Sequence, residues 1–188
     1  MKYILFLFFV FIAAMLISKD IYKEPKFELL ERYGNIEIRE YSNYIVAKNT
    51  ILKTDNDIES NMFRVLASYI FGNNENNESL AMTAPVTTFQ ENDKHHMVFY
   101  MLDAKKIDDL PKPINSQISF ENFYLNKCAV ISFSWFVNER TINKYQKKLK
   151  RFLNQKKYTP TSTFMINRYD SPWTLPFLRR NEILVKIK

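Results

Sequence analysis

Apolar residues along this chain recur at two spacings, and the switches between them outline its elements. Phe27 to Tyr33 and Ile36 to Thr50 read as strands, joined at Gly34-Asn35, a pair suited to a tight hairpin turn. Within Ile36-Glu37-Ile38-Arg39-Glu40-Tyr41 apolar and charged residues alternate, as on a half-buried strand. The spacing then changes. Ile58, Met62, Leu66, Tyr69 and Ile70 fall on one helical face, which predicts a helix over Asp55 to Phe71. Asp55, Asp57 and Glu59 suit its positive N-terminal end, and Gly72 suits its C-terminal cap. Ala81 to Phe89 and His95 to Leu102 follow as strands around the polar turn Gln90 to Lys94.

The second half repeats the order. Ile118 to Tyr124 and Ala129 to Trp135 read as strands with Asn126-Lys127 at the turn. A basic helix follows, with Asn138 as N-cap and an apolar stripe of Ile142, Tyr145, Leu149, Phe152 and Leu153. Thr163 to Tyr169 and Glu182 to Ile187 are the last strands. Two β-β-α-β-β repeats therefore tile the chain, about 25–103 and 117–188, with the proline-containing linker Asp108 to Ser116 between them. The expected class is α+β, eight strands and two helices. Each half alone would leave a sheet face and a helix stripe wet, so the halves should share one core.

Ahead of this domain, residues 21–188, lies a segment of another kind. Met1-Lys2 is followed by fifteen uncharged, mostly apolar residues, Tyr3 to Ile17. As a helix they span about 23 Å, short of a hydrocarbon core of about 30 Å. Residues 1–20 read as a signal peptide or a short membrane anchor, with no small-residue cleavage site near Ser18. The expected localisation is export, periplasmic or membrane-tethered.

Composition narrows the chemistry. Gly34 and Gly72 are the only glycines, so no glycine-rich loop exists to cradle a phosphate. Cys128 is alone, which excludes an intrachain disulfide and a thiolate metal cluster. His95 and His96 are the only histidines; as neighbours on a strand they face opposite ways, and the adjoining polar turn suggests solvent. Asp55/Asp57 and Asp108/Asp109 sit at a helix start and in the linker, poor places for an acid/base dyad. Asn138 to Lys157 carries eight basic residues and Glu139, enough to account for the whole net charge of +7. Its outer face, Lys144, Lys147, Lys148 and Arg151, suits either plain solvation or an anionic membrane surface; export argues against nucleic acid.

Two stretches are more specific. Tyr169-Asp170-Ser171-Pro172-Trp173-Thr174-Leu175-Pro176-Phe177-Leu178-Arg179-Arg180-Asn181-Glu182 is as apolar as a core element, yet its prolines forbid a regular helix or central strand. It should pack as an irregular arm before the final strand. Leu80-Ala81-Met82-Thr83-Ala84-Pro85-Val86, preceded by Tyr69-Ile70-Phe71-Gly72-Asn73, is the second; Pro85 suggests a strand at an edge or a bulge. With these motifs at matching order and distance over most of Phe27 to Val185, the chain resembles the SOUL heme-binding family.

The resemblance implies a distorted eight-stranded antiparallel barrel with two flanking helices and internal pseudo-twofold symmetry. It also implies heme or another tetrapyrrole as ligand, lying in an apolar groove along the first helix. On this chain that surface comprises Met62, Phe63, Arg64, Leu66, Tyr69, Ile70 and Met82, with Arg179 or Arg180 from the arm supplying charge for the propionates. Relatives that bind porphyrin carry more basic residues along this helix; here Arg64 stands alone, with Asn56 and Ser68 at comparable positions. A stripe of Met, Leu, Tyr and Ile is equally what core packing requires. No axial ligand is assignable, which suits carriage or buffering of porphyrin better than redox chemistry. Charged residues at Met62 and Leu66 are then expected to abolish hemin binding while leaving the fold intact. Two other functions fit the same architecture: a binding module for another amphipathic small molecule or lipid, and a small-molecule hydrolase, for which Glu182 is the candidate carboxylate.

Overall fold

The structure, a computed structural model, describes residues 22–52 and 58–188. The apolar segment Tyr3 to Ile17 and the helix-start residues Asp55, Asn56 and Asp57 lie outside the described residues.

Seven strands and two α-helices form the described part. In chain order they are β1 (Phe27–Tyr33), β2 (Ile36–Leu52), α1 (Ile58–Ile70), β3 (Val86–Glu91), β4 (Lys94–Tyr100), β5 (Ile118–Phe133), α2 (Glu139–Lys156), β6 (Met165–Arg168) and β7 (Asn181–Lys186). All pairings are antiparallel, and the order β2-β4-β3-β6-β7-β5 returns to β2, closing a six-stranded barrel with β1 outside it on β2. The class is α+β, as expected, but the strand count differs. The two strands expected around Asn126-Lys127 are one, β5. Asn126 adopts a positive φ of 53° yet stays in register opposite Tyr41, and Lys127 opposite Glu40. Pairing with β2 from Ile36 to Asn49 holds the backbone extended through the asparagine, so no reversal occurs.

Turn chemistry elsewhere follows the residues. Gly34 has φ 63° between β1 and β2, and Asn92-Asp93, both with positive φ, close the two-residue turn between β3 and β4. Asn138 caps α2: its side chain accepts from the Thr141 amide at 3.0 Å, and the Thr141 hydroxyl accepts from the Asn138 amide at 3.0 Å. Pro85 lies just ahead of β3 and not within it. β3 is therefore an interior strand between β4 and β6, neither edge nor bulge.

Alternation along the strands divides the apolar residues into three groups, where one shared core was expected. Val98, Tyr100, Cys128, Val130 and Leu184 fill the barrel interior. Met97, Phe99 and Met101, on the opposite face of the β4 end, pack outward against α1. Ala129, Ile131, Phe133, Ile183 and Val185 pack outward against α2 through Leu149 and Leu153. A closed barrel has an inside and an outside, and both faces of these strands are buried.

Candidate functional site

The inward face of α1 is fully committed to packing. Met62, Leu66, Tyr69 and Ile70 are at most 1% exposed and lie in one cluster with Ile45, Ala47, Met97 and Phe99. The helix ends where Gly72 turns to φ 105°, with the Asn73 amide donating to the Ser68 carbonyl at 2.9 Å. Buried Asn74 secures this end, donating to the Tyr69 and Glu78 carbonyls and accepting from the Asn76 and Glu78 amides. The Tyr69 hydroxyl donates to the Pro111 carbonyl at 3.0 Å, and burial, with Glu78 and Glu75 nearby, pushes its phenol up to about 12. The outer face of α1 differs: Phe63 is 43% exposed with its ring against Phe99 at 5.4 Å, and Arg64 is exposed. Met82 and Val86, half-buried, pack at the margin of the α1 cluster.

Ion pairs tie the surroundings of α1 to the arm, residues 170–180. Glu59 in the first turn of α1 accepts two hydrogen bonds from Arg168, 3.0 Å each, at the end of β6. At the arm's other end the Arg180 guanidinium stacks on the Tyr169 ring 3.6 Å from its centroid and pairs with Glu24. The stretch holding Glu24 runs beside Thr83, the Ala84 amide donating to the Lys23 carbonyl at 3.0 Å. Arg179 faces back into its own arm, donating from Nε to the Thr174 carbonyl at 2.8 Å and from Nη2 to the Pro172 carbonyl. The arm turns through a short 3-10 segment, Pro176–Leu178, and its apolar side chains stay outside the core: Trp173 is 93% exposed, and Leu175, Phe177 and Leu178 are exposed. Against expectation, apolar content here does not mean packing. The prolines prevent a regular element, and the arm's own polar groups bond locally.

Inside the barrel, near the start of β7, lies a cluster that the sequence pattern disguised. Arg39 and Glu182, 5% and 2% exposed, form a two-bonded ion pair, 3.1 Å from Nη1 and 2.9 Å from Nη2. The Tyr169 hydroxyl donates to Glu182 at 2.6 Å, Ser132 at 3.3 Å, and Arg39 donates to the Tyr41 hydroxyl at 2.9 Å. The charged positions alternating with Ile36 and Ile38 thus face the barrel interior, where solvent was expected. Burial alone would lower the Arg39 guanidinium, but its hydrogen bonds to Glu182 and that carboxylate's charge raise it instead. Burial, and then the Glu182 charge, push the Tyr169 phenol well up. Glu182 does have the tyrosine neighbours that a hydrolytic carboxylate would need, yet both its oxygens are engaged.

Two open depressions have volumes of about 200 and 190 Å³, one bounded by Lys26, Phe27 and Tyr41, the other by the Asn92-Asp93 turn and Thr163. Drug-sized ligands usually occupy about 300–1,000 Å³. Neither adjoins α1. Among the described residues no cluster of three His, Cys, Asp or Glu is placed to hold a metal ion. Cys128 is buried in β5, its thiol pushed up to about 12 by burial. His95 is half-buried at the turn, but His96 is buried, contrary to expectation, because closure turns its side of β4 inward. It bonds Thr50 at 2.9 Å and stacks on Phe89.

That burial has a pH consequence. Desolvation first, then Lys48, holds the His96 imidazole below its ordinary 6.5. The unfolded chain takes up a proton that the folded chain resists, so stability is expected to fall as pH drops below about 6.5 and to level off beneath the lowered folded value. Urea midpoints at neutral pH and near pH 5 test this: the wild type should lose more on acidification than His96→Gln. Equal losses would assign the effect to other groups.

Of the residues expected to form a ligand surface, Met62, Leu66, Tyr69 and Ile70 meet within the core, Phe63 and Arg64 lie on the outer face of α1, Met82 lies at its margin, and Arg179 and Arg180 belong to the arm. Lys144, Lys147, Lys148 and Arg151 are all exposed on α2, and among the described residues none pairs with a carboxylate; Lys148 bonds the Asn35 side chain at 2.7 Å.

A closed six-stranded barrel, one extra strand, two outer helices and a closing arm define, among the described residues, an α+β barrel with exposed apolar side chains beside α1 and along the arm. The SOUL heme-binding protein family matches residues 22–186, and the chain belongs to that family. No curated protein matches the sequence. The fold is similar to that of an uncharacterized conserved protein from Listeria innocua, with TM-score 0.60 and 8% identity, covering 82% of this chain and 92% of that one. It is similar too to a hydrolase from Listeria innocua, TM-score 0.58 and 6% identity, covering 85% and 94%. The EcmrR C-terminal domain gives TM-score 0.62 and 10% identity, covering 81% and 96%. At such identities the likeness is one of fold alone.

Proposed function

We propose that this protein binds heme or a related tetrapyrrole and carries or buffers it without transforming it. The observation that carries the reading is membership of a heme-binding family over residues 22–186. The ring would lie on the open surface beside α1, against Phe63 and Met82, with Arg64 near its propionates and Arg180 at the foot of the arm. Met62, Leu66, Tyr69 and Ile70 would support that surface from behind.

The donor set fits a macrocycle held by its faces. On the open side of α1, exposed Phe63 and half-buried Met82 offer a ring and a thioether, with Phe99, Met62 and Met97 buried behind them. Polarizable sulfur and ring edges suit a flat conjugated ligand. The Tyr69 hydroxyl donates to the Pro111 carbonyl and burial pushes its phenol up to about 12, which makes it a poor anionic ligand. Bound heme would bring an iron centre; the residues here bind and orient the ring. The fifteen apolar residues of Tyr3 to Ile17 support an exported or membrane-tethered location.

Absorbance titration with hemin and with metal-free protoporphyrin tests the reading. Comparable affinities are expected, because contacts are to the ring. Arg64→Glu and Phe63→Glu, at exposed positions, should each weaken both by about tenfold, or about 1.4 kcal/mol, with unchanged melting. Absence of binding, or hemin alone binding tightly, would overturn the proposal.

A further inference from the structure

Six exposed large apolar side chains lie at the arm and the loop bound to it. Trp173, Leu175, Phe177 and Leu178 stand out from the arm, and Trp135 and Phe136 from the loop between β5 and α2. The two segments are bound together: the Trp135 amide donates to the Pro176 carbonyl at 2.8 Å, Asn181 donates to the Trp135 carbonyl at 2.9 Å, and Arg179 lies over the Phe136 ring at 5.0 Å. Six such side chains in one place are more than scattered surface apolarity.

Two further observations say what covers them. Glu24 pairs with Arg180, two residues past Leu178, so the described chain begins at the foot of the same arm, and fifteen uncharged, mostly apolar residues, Tyr3 to Ile17, precede it in the sequence. Phe136 is also followed at once by the basic helix, where Arg140 and Lys144 lie in the first two turns, within about 8 Å along the axis from its start. An apolar tip flanked by cations, in a chain with fifteen uncharged, mostly apolar residues ahead of the domain, matches a membrane interface, where Trp sits at headgroup depth and Lys/Arg meet anionic lipid. Tyr3 to Ile17 carries no charged residue to turn toward water, and lipid would serve it and the patch alike.

We infer that the arm and the β5–α2 loop form a lipid-contacting surface that seats the domain against an anionic bilayer. This is independent of tetrapyrrole binding and involves the opposite use of the arm: its tip meets lipid while its foot stays near α1.

The chain's two tryptophans, Trp135 and Trp173, are both in the patch, so intrinsic fluorescence reads it directly. Full-length protein is reconstituted with vesicles of equal parts phosphatidylcholine and phosphatidylglycerol, with or without bromine on the acyl chains. Blue-shifted emission, loss of more than half the signal to brominated lipid, and protection from acrylamide are expected. Trp135→Phe and Trp173→Phe should each leave a quenchable signal from the other residue. Phe177→Glu with Leu175→Glu should restore acrylamide access without changing the melting temperature. Protein that floats with vesicles but keeps lipid-independent, acrylamide-accessible emission would overturn the inference, as would failure to float. Emission already blue-shifted before lipid and unmoved by it would also overturn it, assigning the N-terminal segment as the cover. Hemin titration without vesicles reads the other proposal separately.

Discussion

Arg39→Met is expected to destabilise this protein by about 3–5 kcal/mol, the cost of leaving a buried charge without its partner. Glu182, 2% exposed, would then have only the Tyr169 and Ser132 hydroxyls against its carboxylate, and Tyr41 would lose its donor. Changing both members, Arg39→Met with Glu182→Met, should recover most of the loss, because an apolar pair removes the desolvation cost together with the attraction. Urea unfolding of the three variants is the measurement. A single variant within about 1 kcal/mol of wild type would mean the pair is solvated. The same cycle bears on hydrolysis, since a carboxylate held by arginine, tyrosine and serine at once is committed to holding the barrel.

Leu66→Glu and Met62→Lys are expected to prevent folding, where the sequence pattern had suggested loss of ligand from an intact fold. Both side chains lie in the cluster between α1 and the barrel, at 0% and 1% exposure. Even Leu66→Ala should cost about 2–5 kcal/mol through lost transfer energy and the cavity left behind. A charge there, without a partner, adds a desolvation cost larger than the stability of an ordinary domain can absorb. Thermal melts followed by circular dichroism decide the point, with Phe63→Glu as the exposed control expected to melt like wild type. A cooperative, near-native melt for Leu66→Glu would place that face at the surface.

These two cases mark how far the pattern could be read. The period of Met62, Leu66, Tyr69 and Ile70 correctly located a helix with one apolar face. It could not say whether that face met protein or ligand, because both ask for the same residues. The basic helix was legible in its extent, cap and apolar stripe, since these are local properties of the sequence. Asn126-Lys127 misled because an asparagine with positive φ is common to hairpin turns and to kinks within a continuous strand. The arm misled for a related reason: apolar composition predicts burial only where a regular element can present it to a core.

Spacing, caps and turn residues are short-range properties, and they determined which stretches are strands and helices, where α1 and α2 stop, and the family signature of the arm. Whether a charged strand position faces water or the inside of a barrel depends on which strands meet when the sheet closes, with Glu182 lying far along the chain from Arg39. That pairing, the burial of the α1 stripe, the single run of β5 and the exposure of the tryptophans all follow from closure, because only a closed sheet gives each strand two buried faces and leaves its end loops outside.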